Sequence, residues 1–240
     1  MVPTPRTEAI IGPLRTSLSQ IEQSLFGPQD FNEATTETRF FVGASDYAAA
    51  LLVPKIMRRL AERMPTANLA IRRADKSDMM ALLANGEIDI ALGMSPDTSP
   101  WVRRRRLFKE RHVCVFNPGL LNLPDPLSLQ DFLGCDHMLV SLDGTPSGFV
   151  DRILEKLGHQ RRVSVSTPYF LQSAYLLERL PLIATLPERF ALECSSLSKM
   201  AIRKLPFDGP EFDVSAAWRA GDERNPRIAS LQDVVLTASH

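Results

Sequence analysis

The sequence has no net charge to offer a polyanion: 28 lysines and arginines are matched by 28 aspartates and glutamates. A module that grips nucleic acid unaided carries a basic excess to neutralise phosphates, so these residues are not expected to hold DNA by themselves. Cysteine is scarce. Cys114, Cys135 and Cys194 form an odd set without a CxxC pair, which excludes a zinc ribbon and fits buried thiols in a reducing compartment. No charged segment precedes a long apolar one at the start, and no apolar run is long enough to span a bilayer. Secretion and membrane insertion are therefore disfavoured, and the cytoplasm is the expected location. Catalytic signatures are lacking too. No GxSxG, P-loop, HExxH or GxGxxG occurs, and His112, His137, His159 and His240 have neither metal spacing nor a neighbouring nucleophile. No enzyme activity, cofactor or metal is expected. In GEID (86–89) two acids lie two residues apart, and Asp89 is expected to hold a strand entry.

What is present is the mixture of a globular protein, 44% hydrophobic and 23% charged over 240 residues, enough for one or two domains with a sizeable core. Near the start, Ile11, Leu14, Leu18, Ile21 and Leu25 recur at spacings of three and four. This heptad stripe favours pairing with a partner helix. Thr7 is placed to cap that helix, and Pro13 is expected to strain it. The polar stretch 27–38 reads as a linker.

Beyond it, strands alternate with helices. RFFVGA (39–44), NLAIRRA (68–74) and IDIALG (88–93) read as strands separated by helices over 45–64 and 76–85. The order then repeats with strands at 137–141, 162–166 and 182–186 and helices at 148–157, 168–179 and 187–193. Strands near 201–205 and 212–218 and a helix over 226–237 complete the chain. Such alternation predicts parallel sheets covered by helices. Two units in series suggest two lobes, with the strands near 112–117 and 212–218 as the crossing strands. In open α/β sheets ligands bind outside the carboxyl ends of strands.

Three strand-to-helix turns meet that rule. GASDY (43–47) offers Ser45 and helix amides to a carboxylate, although Ser45 or Asp46 could equally cap the helix. VSLDGTPSGFVD (140–151) offers Thr145 and Ser147. STPYF (166–170) has Thr167 as a cap, Pro168 at the first helical position and Tyr169 able to project toward a ligand. The basic run WVRRRRLFKER (101–111) is expected to be an exposed strand or loop whose arginines are solvated or paired with acids.

LLANGEIDIALG (82–93) resembles a hallmark of the effector-binding domain of LysR-type transcriptional regulators. FVGASDYAAALLVPKIMRRLAERMP (41–65), with its two prolines, resembles that domain's first strand and helix. LIATLPERFA (182–191) resembles its late strand and Pro-started helix. The resemblance runs from about Arg39 to Val235. It implies two Rossmann-like lobes joined by two hinge strands, a type 2 periplasmic-binding-protein fold, preceded by a linker helix. Lobe I would take residues 39–112 and 213–240, and lobe II residues 113–212.

The implied role is effector sensing, with a small organic effector, aromatic or carboxylate-bearing, held between the lobes. By family position its contacts would be Ser45, Asp46, Gly93, Met94, Thr145, Tyr169 and Pro187. The stretch 1–26, VPTPRTEAIIGPL included, resembles the end of a winged helix-turn-helix domain and a dimerisation helix. Leu14, Leu18, Ile21 and Leu25 would pair there in a homodimer or homotetramer. Promoter DNA would be contacted only through a winged helix-turn-helix absent from these residues. The alternative is a solute-binding protein of a transport system, which shares the two-lobe architecture but needs export and has no use for the heptad helix.

Overall fold

The computed structural model describes residues 31–74, 78–94, 99–141, 144–197 and 199–238, together with Arg6, Ile10, Leu14, Ser17, Leu18 and Ile21. The chain forms two compact units, Met1–Phe108 with Asp213–His240, and Lys109–Phe212.

In the first unit β1 (Thr38–Ala44) leads into α1 (Asp46–Arg63), then β2 (Ala67–Arg73), α2 (Asp78–Ala84) and β3 (Ile90–Gly93). The strand β4 (Val102–Glu110) and, from the far end of the chain, β10 (Phe212–Arg219) complete its sheet. A 3-10 turn (Ala220–Arg224) and α7 (Pro226–Ala238) follow. The strand order is β2-β1-β3-β10-β4. β1 runs parallel to β2 and β3, and β10 runs antiparallel to β3. Every residue of β3 is buried, as expected of a strand with helices on both faces. The apolar face of α1 follows the helical period, with Leu52, Ile56 and Leu60 all but inaccessible, and Pro54 sits on its exposed side. Met79, Leu83, Ile88, Ala91, Val102 and Ala217 form a core cluster here.

The second unit repeats the plan. β5 (His112–Phe116) and α3 (Leu129–Leu133) precede β6 (Asp136–Val140), α4 (Phe149–Lys156), β7 (Arg162–Thr167), α5 (Phe170–Leu177), β8 (Leu182–Pro187), α6 (Glu188–Leu197) and β9 (Ala201–Lys204). The order is β7-β6-β8-β5-β9. β6 is parallel to both β7 and β8, and β5 is antiparallel to β8 and β9. Its core gathers Cys114, Phe116, Phe132, Val150, Leu154 and Ile183.

Three expectations change. The division falls within β4, between Phe108 and Lys109, whereas β5 lies wholly inside the second unit between β8 and β9. β4, not the strand over 112–117, is therefore the one that crosses. Pro168 does not open a helix. Thr167 Oγ1 accepts from the Tyr169 amide at 3.3 Å and donates to Gln172, which holds the turn two residues longer, and α5 begins at Phe170 after Tyr169. Pro187 likewise ends β8, opposite His112, and α6 starts at Glu188, whose amide donates to the Arg111 carbonyl at 2.9 Å.

The six described residues of the N-terminal stretch are helical and exposed, Leu14, Leu18 and Ile21 among them. Thr7, Ile11, Pro13 and Leu25 lie outside the described residues. The basic run forms most of β4, and its cations meet acids: Arg103 with Glu223 at 3.3 Å, Arg106 with Asp213 at 3.8 Å and Lys109 with Glu211 at 2.6 Å. No described helix is long and apolar enough to cross a membrane.

Candidate functional site

Each sheet contains one place where successive strands are laid down on opposite sides of a predecessor. From β1 the chain places β2 on one flank and then β3 on the other, and from β6 it places β7 and then β8. Beyond the carboxyl ends of the strands, such a reversal leaves a crevice that connecting helices do not cover.

In the first unit Ser45 and Asp46 follow β1, and Gly93 and Met94 end and follow β3, its parallel neighbour, with Ala44 in register with Leu92. The structure thus brings four of the expected residues to one switch point. Ser45 is half-buried, and its Oγ accepts from the Ala48 amide at 3.3 Å, so it caps α1. Gly93 has φ +149°, a conformation side-chain-bearing residues rarely adopt, and a Cβ there would come within 3.2 Å of Met79 Cε. Met94 is 47% exposed.

In the second unit Thr145 follows β6, Tyr169 follows β7 and Pro187 ends β8, three adjacent strands. Thr145 is exposed. Its Oγ1 lies 3.3 Å from Ser141 Oγ and donates to the Ser147 carbonyl, while Gly144 turns the loop with φ +75°. Tyr169 is 42% exposed and Pro187 is buried. Sequence reasoning missed Ser141, whose amide closes on the Thr167 carbonyl at 2.9 Å. Its place directly after an apolar strand was the available signal. It also missed Thr185, whose buried hydroxyl has no hydrogen-bond partner among the described residues.

The remaining chemistry-bearing groups are committed to structure. Asp89 accepts from the Phe41 amide at 2.8 Å and pairs with Arg227 at 2.5 Å, holding the strand entry as expected. Glu87 pairs with Arg72 at 2.6 Å. Burial pushes the Cys114 thiol up to about 12 and the Cys194 thiol up to about 11, so neither is a nucleophile at neutral pH. Burial, helped by the Arg161 charge, pulls His137 down to about 4, leaving a neutral imidazole. Among the described residues no group of three His, Cys, Asp or Glu could hold a metal ion. A groove of about 430 Å³ in the second unit, at the start of α6, is lined by Lys109, Arg111 and Arg189 against Glu110, Glu188 and Glu211. Arg111 grips Glu188 through two bonds of 2.6 and 2.5 Å, and the Glu110 carboxylate accepts from the amides of Arg111 and Arg189.

Each α/β unit carries a switch point of the kind at which open sheets bind ligands. Residues 33–239 match the family model for the LysR substrate binding domain. The chain belongs to that family. It is 28% identical over 226 residues to the HTH-type transcriptional activator NagR of a Ralstonia species, covering 94% of this chain and 75% of that one. It is 27% identical to the activator NahR of Pseudomonas putida, covering 92% and 73%. Among solved structures, the regulatory domain of MexT, a transcriptional activator in Pseudomonas aeruginosa, superposes with a TM-score of 0.74 at 30% identity, covering 85% of this chain and all of that one. This LysR-family chain is thus the effector-sensing and oligomerisation part of a regulator, with a small-molecule effector as its partner and a regulatory rather than enzymatic role.

Proposed function

We propose that the effector is a small organic molecule, aromatic or carboxylate-bearing, recognised at switch-point strand ends. The candidate contacts are Ser45, Asp46, Gly93 and Met94 in the first unit, and Thr145, Tyr169 and Pro187 in the second. The observation that carries the reading is the repetition: in both units a hydroxyl residue follows the central parallel strand, Ser45 after β1 and Thr145 after β6. An exposed methionine after β3 and an exposed tyrosine after β7, the strands flanking β1 and β6, suit an apolar ring with a polar substituent. The protein assembles as a homodimer or homotetramer through the helical stripe of Leu14, Leu18 and Ile21, each about half exposed, continued by Leu25. As with NagR and NahR, the output is transcriptional activation, with promoter DNA held by a winged helix-turn-helix domain preceding these residues. The effector acts by binding one conformation better than another and so shifting their populations.

Thermal unfolding in the presence of aromatic and aliphatic carboxylates tests this reading. A ligand at 100 times its Kd stabilises by about 2.7 kcal/mol, a readily measured rise in Tm. Because Thr145 is exposed, Thr145→Trp should leave the ligand-free Tm unchanged and abolish the rise. An undiminished rise would mean that the Thr145 loop does not touch the effector.

A further inference from the structure

Behind the Thr145 loop lies a charge network that capping a helix does not require. The Asp151 carboxylate accepts from the Gly148 amide at 2.6 Å, the reciprocal half of a capping box at the start of α4. Surface carboxylates do this alone. Here Arg161 reaches in from ahead of β7 and grips both oxygens of Asp151, at 2.8 and 2.9 Å, with its side chain only 1% exposed.

His137, fully buried in β6, completes the set. Its Nε2 lies 2.8 Å from the Phe132 carbonyl, which only accepts, so Nε2 carries the proton. Its Nδ1 therefore presents a lone pair to Arg161 Nη1 at 3.5 Å. Burying a guanidinium is costly, and such a pair is weak evidence for stability; its attested use is to select one geometry over others. The geometry selected here is that of Gly148, three residues after Thr145. Gly148 is also packed closely, since a Cβ on it would stand 3.3 Å from Leu139 Cδ1.

We propose that Asp151 and Arg161, backed by neutral His137, are positioning residues that set the Gly144–Gly148 segment for effector contact. The proposal rests on the reading that Thr145 meets the effector. It gives the second unit a device that the first achieves by different means, since Ser45 is fixed by capping its own helix.

Residue-resolved amide hydrogen exchange by NMR on the ligand-free chain tests the proposal without any effector. Its failure is thus separable from failure of the binding reading. In Asp151→Ala the Gly148 amide should exchange at least tenfold faster, and the Thr145 and Gly148 resonances should shift, while amides in β6 and β8 keep their rates. Asp151→Asn, which retains an acceptor for Gly148, should restore most of the protection. Arg161→Lys, whose ammonium cannot hold both carboxylate oxygens in the same way, should fall between. Should Asp151→Ala fail to fold, the double variant Asp151→Ala with Arg161→Met removes the stranded charge and carries the same test. Wild-type exchange at Gly148 in these variants would overturn the proposal. So would a loss spread evenly through β6 and β8, which marks a general structural role.

Discussion

In the first unit the chain lays down β1, β2 and β3 and completes the sheet with β10, which arrives from the far end of the sequence. In the second it lays down β6, β7 and β8 in the same sense and uses β5 in the matching antiparallel place, all within residues 109–212. The two differ in how they are fastened. The buried carboxylate of the first unit, Asp89, joins the Phe41 amide, 48 residues before it, to Arg227, 138 residues after it. In the second, Asp151, partly buried against the buried Arg161, finds Gly148 and Arg161 three and ten residues away. A unit assembled from both ends of a chain needs a staple between them, whereas a continuous unit does not. The second unit is accordingly free to spend its buried ion pair on local geometry. One topology carries two different electrostatic designs.

Acid should break the symmetry most. His112 and His137, both depressed by burial, lie in the second unit, and no histidine is found among the described residues of the first. Above the ordinary histidine pKa of 6.5, His137 is neutral whether the chain is folded or unfolded. As pH falls below that value the unfolded chain takes a proton that the folded one refuses, until about pH 4. Stability therefore drops across this window, by about 3 kcal/mol for a shift of this size. Urea unfolding against pH should show this slope, and His137→Gln should remove most of it. Hydrogen exchange should locate the loss in β6 and β8 rather than β1 and β3, and equal losses in both sheets would sink the comparison.

Next in size is the long-range staple. Asp89→Ala leaves Arg227 and the Phe41 amide without their partner. Since the Arg227 side chain is 31% exposed, the loss falls below that of a fully buried pair, at about 2 kcal/mol. The denaturation midpoint measures it, with protection lost in β1 and α7 first. The smallest effect compares the two hydroxyls. Ser45→Ala removes a helix cap and should cost about 1 kcal/mol. Thr145→Ala, at an exposed site, should stay within about 0.5 kcal/mol. Similar Tm changes for the two variants would show that Thr145 also bears structure.

The elements were legible because burial on one face imposes a period. Leu52, Ile56 and Leu60 mark a helix wherever they occur, and the unbroken apolar run of β3 marks a covered strand. The candidate binding positions were legible as far as the turns after strands were, which is how Ser45 and Thr145 came forward; Ser141 did not, because the apolar run 137–141 counted it within a strand that ends at Val140. The crossing strand was misplaced because β4 is studded with arginines and resembles a surface loop. Its partners Asp213, Glu211 and Glu223 lie about a hundred residues away and become neighbours only when β10 joins the sheet.

Sequence by itself determined the alternation of strands and helices, the turns that end them and the family to which they belong, since all of these depend on spacing along the chain. It could not choose between Arg161 and Arg162. Adjacent and chemically identical, they are 1% and 77% exposed in their side chains. Only the folded chain, which sets Asp151 of α4 and His137 of β6 on one side of Arg161, decided that the first would be buried and the second left in water, because a charge is buried where its partners are, and the tertiary structure alone brings those partners together.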